Sequence, residues 1–376
     1  MKENIAKKSR PRVLLALDYY DYRIHRGVAR VAAQKGWSLM CTQSSVGVPS
    51  VPEGWNGQGV ISLMSYQNTI AALTSLNIPI VDIGLYPLAF AVSRIVTDNV
   101  AIGTLAAEHL LHKGLRSFLV IEVQNPQRMF GERQASYIET LKKFPKKISL
   151  NFIPEQSDRS QWEEALQKCP KPLGIFGYVD GLALNIMDMA LEFGYAVPED
   201  IALLGVDNND LACEGVDVPL SSVESDQDGL GEKAAHLLAR RMEGEAGSTE
   251  ILRHRPLGVT IRKSTDTLAS NQPKVSKALH LIQSEYASGI NAMDLARRLK
   301  MTPQGLQQLF KEHDGRSPGQ ILRMVKIERA KEMLVQPEHK LKTVALDCGF
   351  GSLEAFCRAF KNSVGITPTQ WRRVLE

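Results

Sequence analysis

Short apolar runs alternate with stretches of helical periodicity over the first 265 residues. Continuous apolar runs of about four to eight residues are typical of buried strands, and repeated strand–helix–strand units favour a parallel α/β architecture. A region of this size is large for one sheet, so we predict two α/β lobes. The predicted strands are 13–17, 59–63, 79–83, 118–123, 174–176 and 202–206, and the predicted helices are 24–34, 101–113, 131–143, 162–167 and 182–193.

The pattern changes after a β-like run that ends near Arg262. The chain becomes polar through 266–273, which we interpret as a linker, and strand signals are absent from 274–376. The first domain is therefore predicted at 1–265 and an all-α domain at 274–376. Within the first domain the lobe boundaries are predicted as 12–112 with 226–252 for lobe one, and 113–225 with 253–265 for lobe two.

The all-α region contains an internal repeat. Five pairs of residues match at a spacing of 50, and before them Met301 matches Phe350 at a spacing of 49, so the second copy has one extra residue in its turn. The five pairs are Leu306 with Phe356, Phe310 with Phe360, Lys311 with Lys361, Gly315 with Gly365, and Pro318 with Pro368. Each copy is predicted to fold as one unit of helix, tight turn and helix, with a longer helix of about 318–335 between the copies.

Two such units joined by a helix can place their second helices about 34 Å apart, one DNA turn, on one face of a duplex. The region 274–376 holds 17 Lys and Arg against 10 Asp and Glu, a net charge of +7 in a chain of net charge +4. This charge favours DNA as the partner, although a helical bundle for dimerisation or protein docking is the alternative. Amide and guanidinium groups suit base edges, and lysines and capped helix N-termini suit phosphates. The candidate DNA-binding residues are Thr302, Gln304, Gln307, Gln308 and Lys311 in the first unit, and Ser352, Leu353, Glu354, Cys357, Arg358 and Lys361 in the second.

The second unit resembles a known family. From Ala330 the chain runs AKEMLVQPEHKLKTVALDCGFGSLEAFCRAFKNSVGITPTQWRR, with the elements C-G-F, F-x-R-x-F-K and G-x-T-P in order. This segment is similar to the DNA-binding domains of the AraC/XylS family, and the resemblance covers about 100 residues. The family often carries Arg where this chain has Gln308, so the resemblance implies that the first half-site is recognised differently.

Polar side chains follow the predicted strands of the first domain. Ligands in such sheets bind outside the carboxyl ends of strands, where Asp, Asn and Arg suit the hydroxyl groups of a neutral sugar because each hydroxyl both donates and accepts. The candidates from this pattern are Asp18, Asp98, Asp180, Asp207 and Asn208, with the aromatic rings of Tyr19 and Tyr20 beside the first. For Asp98, Asp180 and Asn208 helix capping is the alternative.

A second resemblance bears on these residues. The runs TDNVAIGTLAAEHLLHKG from Thr97, VPEDIALLGVDNND from Val197 and PLSSVESDQDGLGEKAAHLL from Pro219 are similar to the effector domains of LacI/GalR repressors, which have a periplasmic-binding-protein-like fold. The resemblance implies a sugar pocket lined by Asp98, Arg133, Asp180 and Asp207, and more loosely by Asp18. A LacI-like sensor followed by an AraC-like domain resembles the xylose-operon type of regulator, which implies xylose or a related monosaccharide as effector.

The chain is therefore expected to be a sugar-responsive transcription regulator, and an activator. Its expected partners are a double-stranded DNA operator, a small-molecule sugar, RNA polymerase and a second copy of the chain, with no membrane, metal, cofactor or catalytic residue. Five scattered cysteines without a C-x-x-C pair, and no apolar run of signal-peptide or membrane length, favour the cytoplasm. The alternatives are an enzyme acting on a sugar, and a DNA-bound protein whose lobes bind a non-sugar metabolite or another protein.

Overall fold

The computed structural model describes residues 10–44, 50–84, 86, 90–124, 130–246, 251–266, 273–334 and 339–375, so most of the linker predicted at 266–273 lies outside the described residues. The strands are β1 (Arg12–Leu17), β2 (Ser38–Gln43), β3 (Gly59–Leu63), β4 (Ile80–Asp82), β5 (Ser93–Thr97), β6 (Ser117–Glu122), β7 (Ser149–Pro154), β8 (Leu173–Phe176), β9 (Ile201–Val206), β10 (Ser221–Glu224), β11 (Ile251–His254) and β12 (Gly258–Thr260). The helices are α1 (Tyr22–Lys35), α2 (Gln67–Thr74), α3 (Asn99–His112), α4 (Gly131–Lys143), α5 (Arg159–Lys168), α6 (Asp180–Glu192), α7 (Asp210–Glu214), α8 (Gln227–Met242), α9 (Pro273–Glu285), α10 (Ala292–Arg298), α11 (Pro303–Asp314), α12 (Pro318–Leu334), α13 (Leu341–Asp347), α14 (Leu353–Val364) and α15 (Pro368–Leu375). Two 3₁₀ turns lie at Lys263–Thr265 and Tyr286–Ser288.

Two six-stranded sheets form the first domain and confirm the predicted α/β class. The first sheet has the order β11-β5-β4-β3-β1-β2 and is parallel, and the second has the order β12-β10-β9-β8-β6-β7 with β12 antiparallel to β10. In β1, Val13, Leu15 and Leu17 pack on one face while Leu14 and Ala16 pack on the other. Both faces are thus buried, which is why this strand is a continuous apolar run.

The edge strands β2 and β7 are absent from the predicted set. Their side chains are mostly half-buried or exposed, for example Met40 at 43% and Phe152 at 48% exposure, so neither strand has a continuous apolar run. An edge strand is covered on fewer sides, and its sequence therefore lacks the signal on which the prediction depended.

The structure corrects the predicted lobe boundary at 112. Helix α3 packs in the second lobe against α4, with Ile102, Ala106 and Leu110 in the core of that lobe. A Cβ on Gly103 would lie 2.1 Å from the carbonyl oxygen of Arg133, so the two helix backbones are in close contact there. The chain therefore crosses to lobe two at Asp98 and returns to lobe one after β10, because α8 packs on α1 and β11 pairs with β5. It crosses to lobe two again after β11, since β12 pairs with β10. Amphipathicity identifies the buried face of α3 but not the sheet that covers it.

The all-α domain contains the two predicted helix-turn-helix units, α10 with α11 and α13 with α14. Each unit has its own hydrophobic cluster, built on Phe310 in the first and on Phe356 and Phe360 in the second. Helix α12 contributes to both, since Ile321 lies in the first cluster and Ala330 in the second. It is therefore a common support for the two units.

Candidate ligand-binding cleft and DNA-reading helices

Arg133, at the start of α4, lies in the centre of the candidate cleft and is 2% exposed. Its Nε donates to Asn99 Oδ1 at 2.6 Å and its Nη1 donates to the carbonyl oxygen of Tyr178 at 2.6 Å. Its Nη2 lies 3.6 Å from Asp207 Oδ1, and the guanidinium lies over the ring of Phe130, 5.4 Å from its centroid. Burial lowers the pKa of this guanidinium and the neighbouring carboxylates oppose the shift. Arg133 is thus held rigidly by protein acceptors and faces a carboxylate.

Asp207 follows β9 with φ of 92°, a left-handed conformation that is rare for residues other than glycine. Its Oδ1 accepts from Ser225 Oγ at 2.9 Å and from Gln227 Nε2 at 3.3 Å. The side chain is 26% exposed, against 3% for that of Arg133. Strained backbone of this kind is typical of ligand clamps, and it turns this carboxylate towards Arg133.

Asp180 lies beneath this pair. Its Oδ1 accepts from Ser222 Oγ at 2.6 Å and its Oδ2 accepts from the backbone amide of Asn209 at 2.8 Å. Burial raises the pKa of Asp180 to about 6. Helix capping, the alternative for Asp180, is wrong, because Asp180 is the first residue of α6 and Val179 is the cap. Its contacts make it a support for the loop after β9.

The other capping alternatives have different outcomes. Asp98 is the N-cap of α3 and accepts from the amide of Ala101 at 3.1 Å. In the loop after β9 the cap of α7 is Asn209, not Asn208. The amide of Asn208 instead donates from Nδ2 to Glu224 Oε2 at 2.6 Å. The structure therefore assigns capping to Asp98 and contacts within lobe two to Asn208.

Asp18 is surrounded by protein donors. Its Oδ1 accepts from Ser50 Oγ at 3.1 Å and from Thr69 Oγ1 at 2.5 Å, and its Oδ2 accepts from the amides of Ser65 and Tyr66 at 2.6 and 2.8 Å. Two hydroxyls and two amides account for the acceptor capacity of a carboxylate. Asp18 therefore ties three loops of lobe one together and does not extend towards Arg133.

The two predicted aromatic residues lie on lobe one. Tyr19 is 72% exposed, and Tyr20 packs edge-on against His25 with its hydroxyl 3.2 Å from His25 Nδ1. The aromatic rings beside Arg133 are instead Phe130 and Tyr178, which stack with centroids 4.8 Å apart. The structure does not bring Tyr19 or Tyr20 together with the Arg133 cluster.

Several contacts across the cleft were missed by the sequence analysis. Arg23 donates from Nη1 to the carbonyl oxygens of Asp207 and Asn208, the latter at 3.0 Å. Tyr22, on the same helix, donates its hydroxyl to Asp210 Oδ1 at 3.1 Å. These contacts join lobe one to lobe two, and a pair of residues about 185 positions apart leaves no signal in a single sequence.

A third contact between the lobes involves a strand of lobe one and a helix of lobe two. Arg253 of β11 forms a bidentate ion pair with Glu132 of α4, at 2.8 and 2.9 Å. Asn99, which holds Arg133, was also missed, although it adjoins Asp98 in the motif that carried the resemblance. The cleft is therefore closed at several points by residues of both lobes.

The second helices of the two helix-turn-helix units begin as predicted. Thr302 accepts from the amide of Gly305 and Ser352 accepts from the amide of Ala355, each at 3.1 Å, so both residues cap their helices. Most of the candidate DNA-binding side chains are exposed, namely Gln304, Gln307, Gln308, Lys311, Glu354, Arg358 and Lys361. Gln308 Nε2 donates to Glu312 Oε1 at 2.7 Å, which orients its amide along the helix.

Leu353 and Cys357 do not face outward as predicted. Both are half-buried and pack against the cluster around Phe356 and Phe360. Burial also raises the pKa of the Cys357 thiol. Leu353 lies three positions before Phe356 and Cys357 one position after it, so the apolar stripe of α14 is wider than the stripe that the sequence analysis assigned to it.

The turns of the two units differ in their surroundings. Lys300 and Gly349 occupy equivalent turn positions, with φ of 53° and 70°. A Cβ on Gly349 would lie 2.5 Å from the carbonyl oxygen of Tyr286, so a side chain is excluded in the second copy. The turn of the second unit thus packs against the 3₁₀ turn Tyr286–Ser288, which leaves no room for a side chain at position 349.

The comparisons with known proteins agree with this division. Residues 107–265 match the family model of a periplasmic binding protein-like domain, and residues 295–374 match that of a helix-turn-helix domain. The xylose operon regulatory protein of Escherichia coli is 27% identical over 369 residues, 94% of each chain, and that of Haemophilus influenzae is 26% identical over 373 residues, 94% of this chain and 95% of the relative. A solved structure described as the xylose-binding transcription activator XylR has a TM-score of 0.62 and 26% identity, over 98% of this chain and 99% of that one.

The sensor fold, the two helix-turn-helix units and these relatives define a transcription regulator that joins a periplasmic-binding-protein-like sensor to an AraC-type DNA-binding domain. In the order and extent of both domains it is similar to the xylose operon regulatory proteins. The predicted resemblance and fold class are thereby confirmed. Among the described helices, none has the length and apolar character that a membrane span requires.

Proposed function

We propose that this regulator binds xylose or a related neutral monosaccharide between its lobes, around Arg133 and Asp207. The observation that carries the proposal is the buried Arg133 with Asp207 at 3.6 Å, where Arg23 of lobe one contacts the carbonyl oxygen of Asp207. A guanidinium has donors alone and a carboxylate has acceptors alone, whereas a sugar hydroxyl satisfies either. The two opposite charges favour a neutral ligand over an anion or a cation.

The surroundings of this pair support a monosaccharide. The half-buried ring of Phe130 lies beside Arg133 and is backed by the buried ring of Tyr178, so Phe130 is the aromatic group near the C–H surface of a sugar ring in this proposal. Asp98 caps α3 through Oδ1, so in this proposal its other carboxylate oxygen meets the ligand at the crossing between the lobes. Asp180 holds the loop that carries Asp207. The proposed ligand contacts are thus Arg133, Asp207 and Asp98, with Asp180 as a support.

The proposed regulatory cycle uses closure of the lobes. A ligand shifts a population by as much as its affinity differs between the two states, so the sugar must bind the closed arrangement more tightly than the open one. The contacts of Arg23 and Tyr22 across the cleft are available in the closed arrangement described here. Closure then changes how the helix-turn-helix units are presented to DNA.

We propose that the whole chain acts in the cytoplasm as a homodimer. It would activate transcription by binding DNA through its C-terminal domains and contacting RNA polymerase. Each subunit would place α11 and α14 in successive major grooves of its operator, about 34 Å apart. The exposed amides of α11 and the exposed Arg358 and Lys361 of α14 supply base and phosphate contacts.

The experiment that tests the ligand is a melting series of the purified chain with pentoses, hexoses and their phosphates. A ligand at 100 times its Kd stabilises the folded state by about 2.7 kcal/mol, which raises the Tm of a sensor of this size by about 5–10 °C. We expect this shift with xylose and a smaller or no shift with sugar phosphates. A shift with another neutral sugar would correct the effector and keep the site. The absence of a shift with every sugar would contradict the proposal and favour a non-sugar metabolite or a protein partner.

A further inference from the structure

A run of hydrogen bonds leaves the cleft on the side of lobe two. Asn208 Oδ1 accepts from Arg262 Nη1 at 2.8 Å, next to the backbone that Arg23 contacts from the other lobe. The backbone of Arg262 is in turn fixed by Ser221, whose hydroxyl lies 2.8 Å from the amide nitrogen and 2.9 Å from the carbonyl oxygen. The loop after β9 is therefore connected to the last segment of the sensor.

The run continues through buried hydroxyls to the end of the sensor. Thr265 Oγ1 donates to Ser221 Oγ at 2.8 Å and lies 2.9 Å from His109 Nε2, and Ser264 Oγ donates to the carbonyl oxygen of Leu203 at 2.6 Å. Ser221, Ser264 and Thr265 have no exposed surface. Breaking such bonds would leave buried polar groups without partners, which is costly, so this segment should move as a unit with its surroundings.

The next residue joins the two domains. Asp266 forms an ion pair with Arg329 of α12, and its carbonyl oxygen accepts from Gln283 Nε2 of α9 at 3.2 Å. The side chains of Asp266 and Arg329 are 31% and 28% exposed, so the pair is partly shielded from solvent. Because α12 supports both helix-turn-helix units, a pair at Arg329 acts on the orientation of both.

The boundary between the two domains around Asp266 and Arg329, here called the seam, has room to rearrange. A cavity of about 320 Å³ lies along it, lined from the sensor by His109, His112 and Ile261 and from the DNA-binding domain by Met324 and Val325, among others. A loosely filled seam can shift without disturbing the core of either domain, whereas a close-packed one could not.

We propose that Asp266 and Arg329 are positioning residues that fix the DNA-binding domain on the sensor, and that Arg262 connects their pairing to the state of the cleft through Asn208. The proposal rests on the proposed function, since it names the way in which ligand binding at that site reaches DNA. It also gives Asn208, expected above as a sugar ligand, a different role at the first step of this connection.

Two binding constants test the proposal on the full chain. Xylose Kd is measured by calorimetry without DNA, and operator Kd by fluorescence anisotropy with and without saturating xylose. The ratio of the two operator Kd values is the coupling between the sites. In Asp266→Asn and Arg329→Gln we expect this ratio to fall towards one, at least threefold from the wild-type value, with xylose Kd changed less than twofold. Arg262→Gln should reduce the ratio in the same direction.

Three further variants separate a positioning role from general damage. Arg329→Lys keeps the charge and should retain most of the coupling, and the exchange of charges in Asp266→Arg with Arg329→Asp should restore part of it. Glu164→Gln removes an exposed ion pair with Lys168 on α5, away from the seam, and should leave the ratio unchanged. Wild-type coupling in both single variants at the seam would overturn the proposal.

A measurement without sugar keeps the proposal independent of the ligand's identity. Spin labels on the sensor and on α12 report the distribution of distances between the domains. We expect Asp266→Asn to broaden this distribution relative to wild type and Glu164→Gln to leave it unchanged. An unaltered distribution in Asp266→Asn would overturn the positioning role, whereas a wild-type chain that binds no sugar in calorimetry would contradict the proposed function instead.

Discussion

At the scale of single residues, the cleft depends on a backbone conformation that its sequence does not favour. Asp207 and Asn208 have φ of 92° and 46°, and such conformations cost about 1–3 kcal/mol each for residues other than glycine. The loop keeps them because Arg23 binds both carbonyl oxygens and Ser222 binds the amide of Asn208. The strained conformation thus occurs at Asp207, the residue whose carboxylate faces Arg133.

Replacing that carboxylate tests its role. In Asp207→Ala we expect a loss of xylose affinity of about 1.5–3 kcal/mol, roughly tenfold to more than a hundredfold, because a charged acceptor is removed. Operator binding without sugar should be unchanged. Calorimetry and anisotropy measure the two quantities, with the exposed Asp188→Ala on α6 as the control. A wild-type response to sugar in Asp207→Ala would contradict the assignment of the pocket.

The buried carboxyl of Asp180 predicts a dependence of stability on pH. Its folded pKa is raised from 3.8 to about 6, so between these values the folded chain binds a proton that the unfolded chain has lost. The contribution to the free energy of unfolding is therefore full below about pH 4, falls as the pH rises to about 6, and is level above it. Asp180→Asn does not titrate, so the wild type should lose on the order of 1–3 kcal/mol relative to it across this window. Melting curves from pH 4.5 to 7 measure the difference, and parallel curves would contradict the assignment.

At the scale of elements, two glycines that follow the C-terminal ends of helices α11 and α13 differ in their surroundings. Gly315 has φ of 78° and open space around the position of a Cβ, whereas a Cβ on Gly349 would lie 2.5 Å from the carbonyl oxygen of Tyr286. Gly315→Ala should cost about 1 kcal/mol for the left-handed backbone alone. Gly349→Ala should cost about 2–4 kcal/mol, because overpacking adds to the same backbone cost. Urea unfolding of the two variants measures the difference, and equal losses would show that the contact with Tyr286 is relaxed at no cost.

Helix α14 carries two exposed basic residues, Arg358 and Lys361, for which we predict a base contact and a phosphate contact respectively. Arg358→Ala should weaken operator binding by about 1–3 kcal/mol and relax sequence preference if its guanidinium binds a base. Lys361→Ala should instead weaken binding to every DNA sequence alike, as expected for a phosphate contact. Anisotropy with operator and with random DNA distinguishes them. Equal losses on both DNAs for Arg358→Ala would assign it to a phosphate.

At the scale of the whole molecule, the two domains have separate cores. Every hydrophobic cluster among the described residues draws its members from one side of the linker. The domains are instead joined at the seam by an ion pair and a hydrogen bond, from Asp266 to Arg329 and Gln283. This division suits a regulator, because the domains can change their relative orientation while each stays folded.

A truncated chain tests that division. A fragment that ends at Asp266 should melt cooperatively and bind xylose with a Kd within about threefold of the full chain, because its cores are complete. Melting and calorimetry of the fragment measure both properties. A fragment that fails to fold, or that folds and loses xylose binding while the full chain binds it, would show that the DNA-binding domain completes the sensor.

The accuracy of prediction from the sequence differs between the two regions of the chain. The helix-turn-helix units could be predicted in detail, because their caps at Thr302 and Ser352 and their stripes around Phe310 and Phe360 are local signals. The cleft could be predicted less well. Motif resemblance named Arg133 and Asp207, and the structure brings their side chains within 3.6 Å of each other. Asp18, at the end of a strand like Asp207, instead binds Ser50 and Thr69 of its own lobe. The end of a strand gives the edge of the sheet but not the direction of a side chain.

The sequence by itself determined the α/β class, the repeat and the charge of the DNA-binding half, since each depends on spacing along the chain or on composition. The tertiary structure decided which lobe receives α3, how Arg23 reaches Asn208, and that Asp266 meets Arg329. These contacts join residues about 30 to 185 positions apart, and their formation depends on the packing of whole sheets and helices. Local periodicity carries no record of such pairings, because the same buried stripe can be covered by more than one partner.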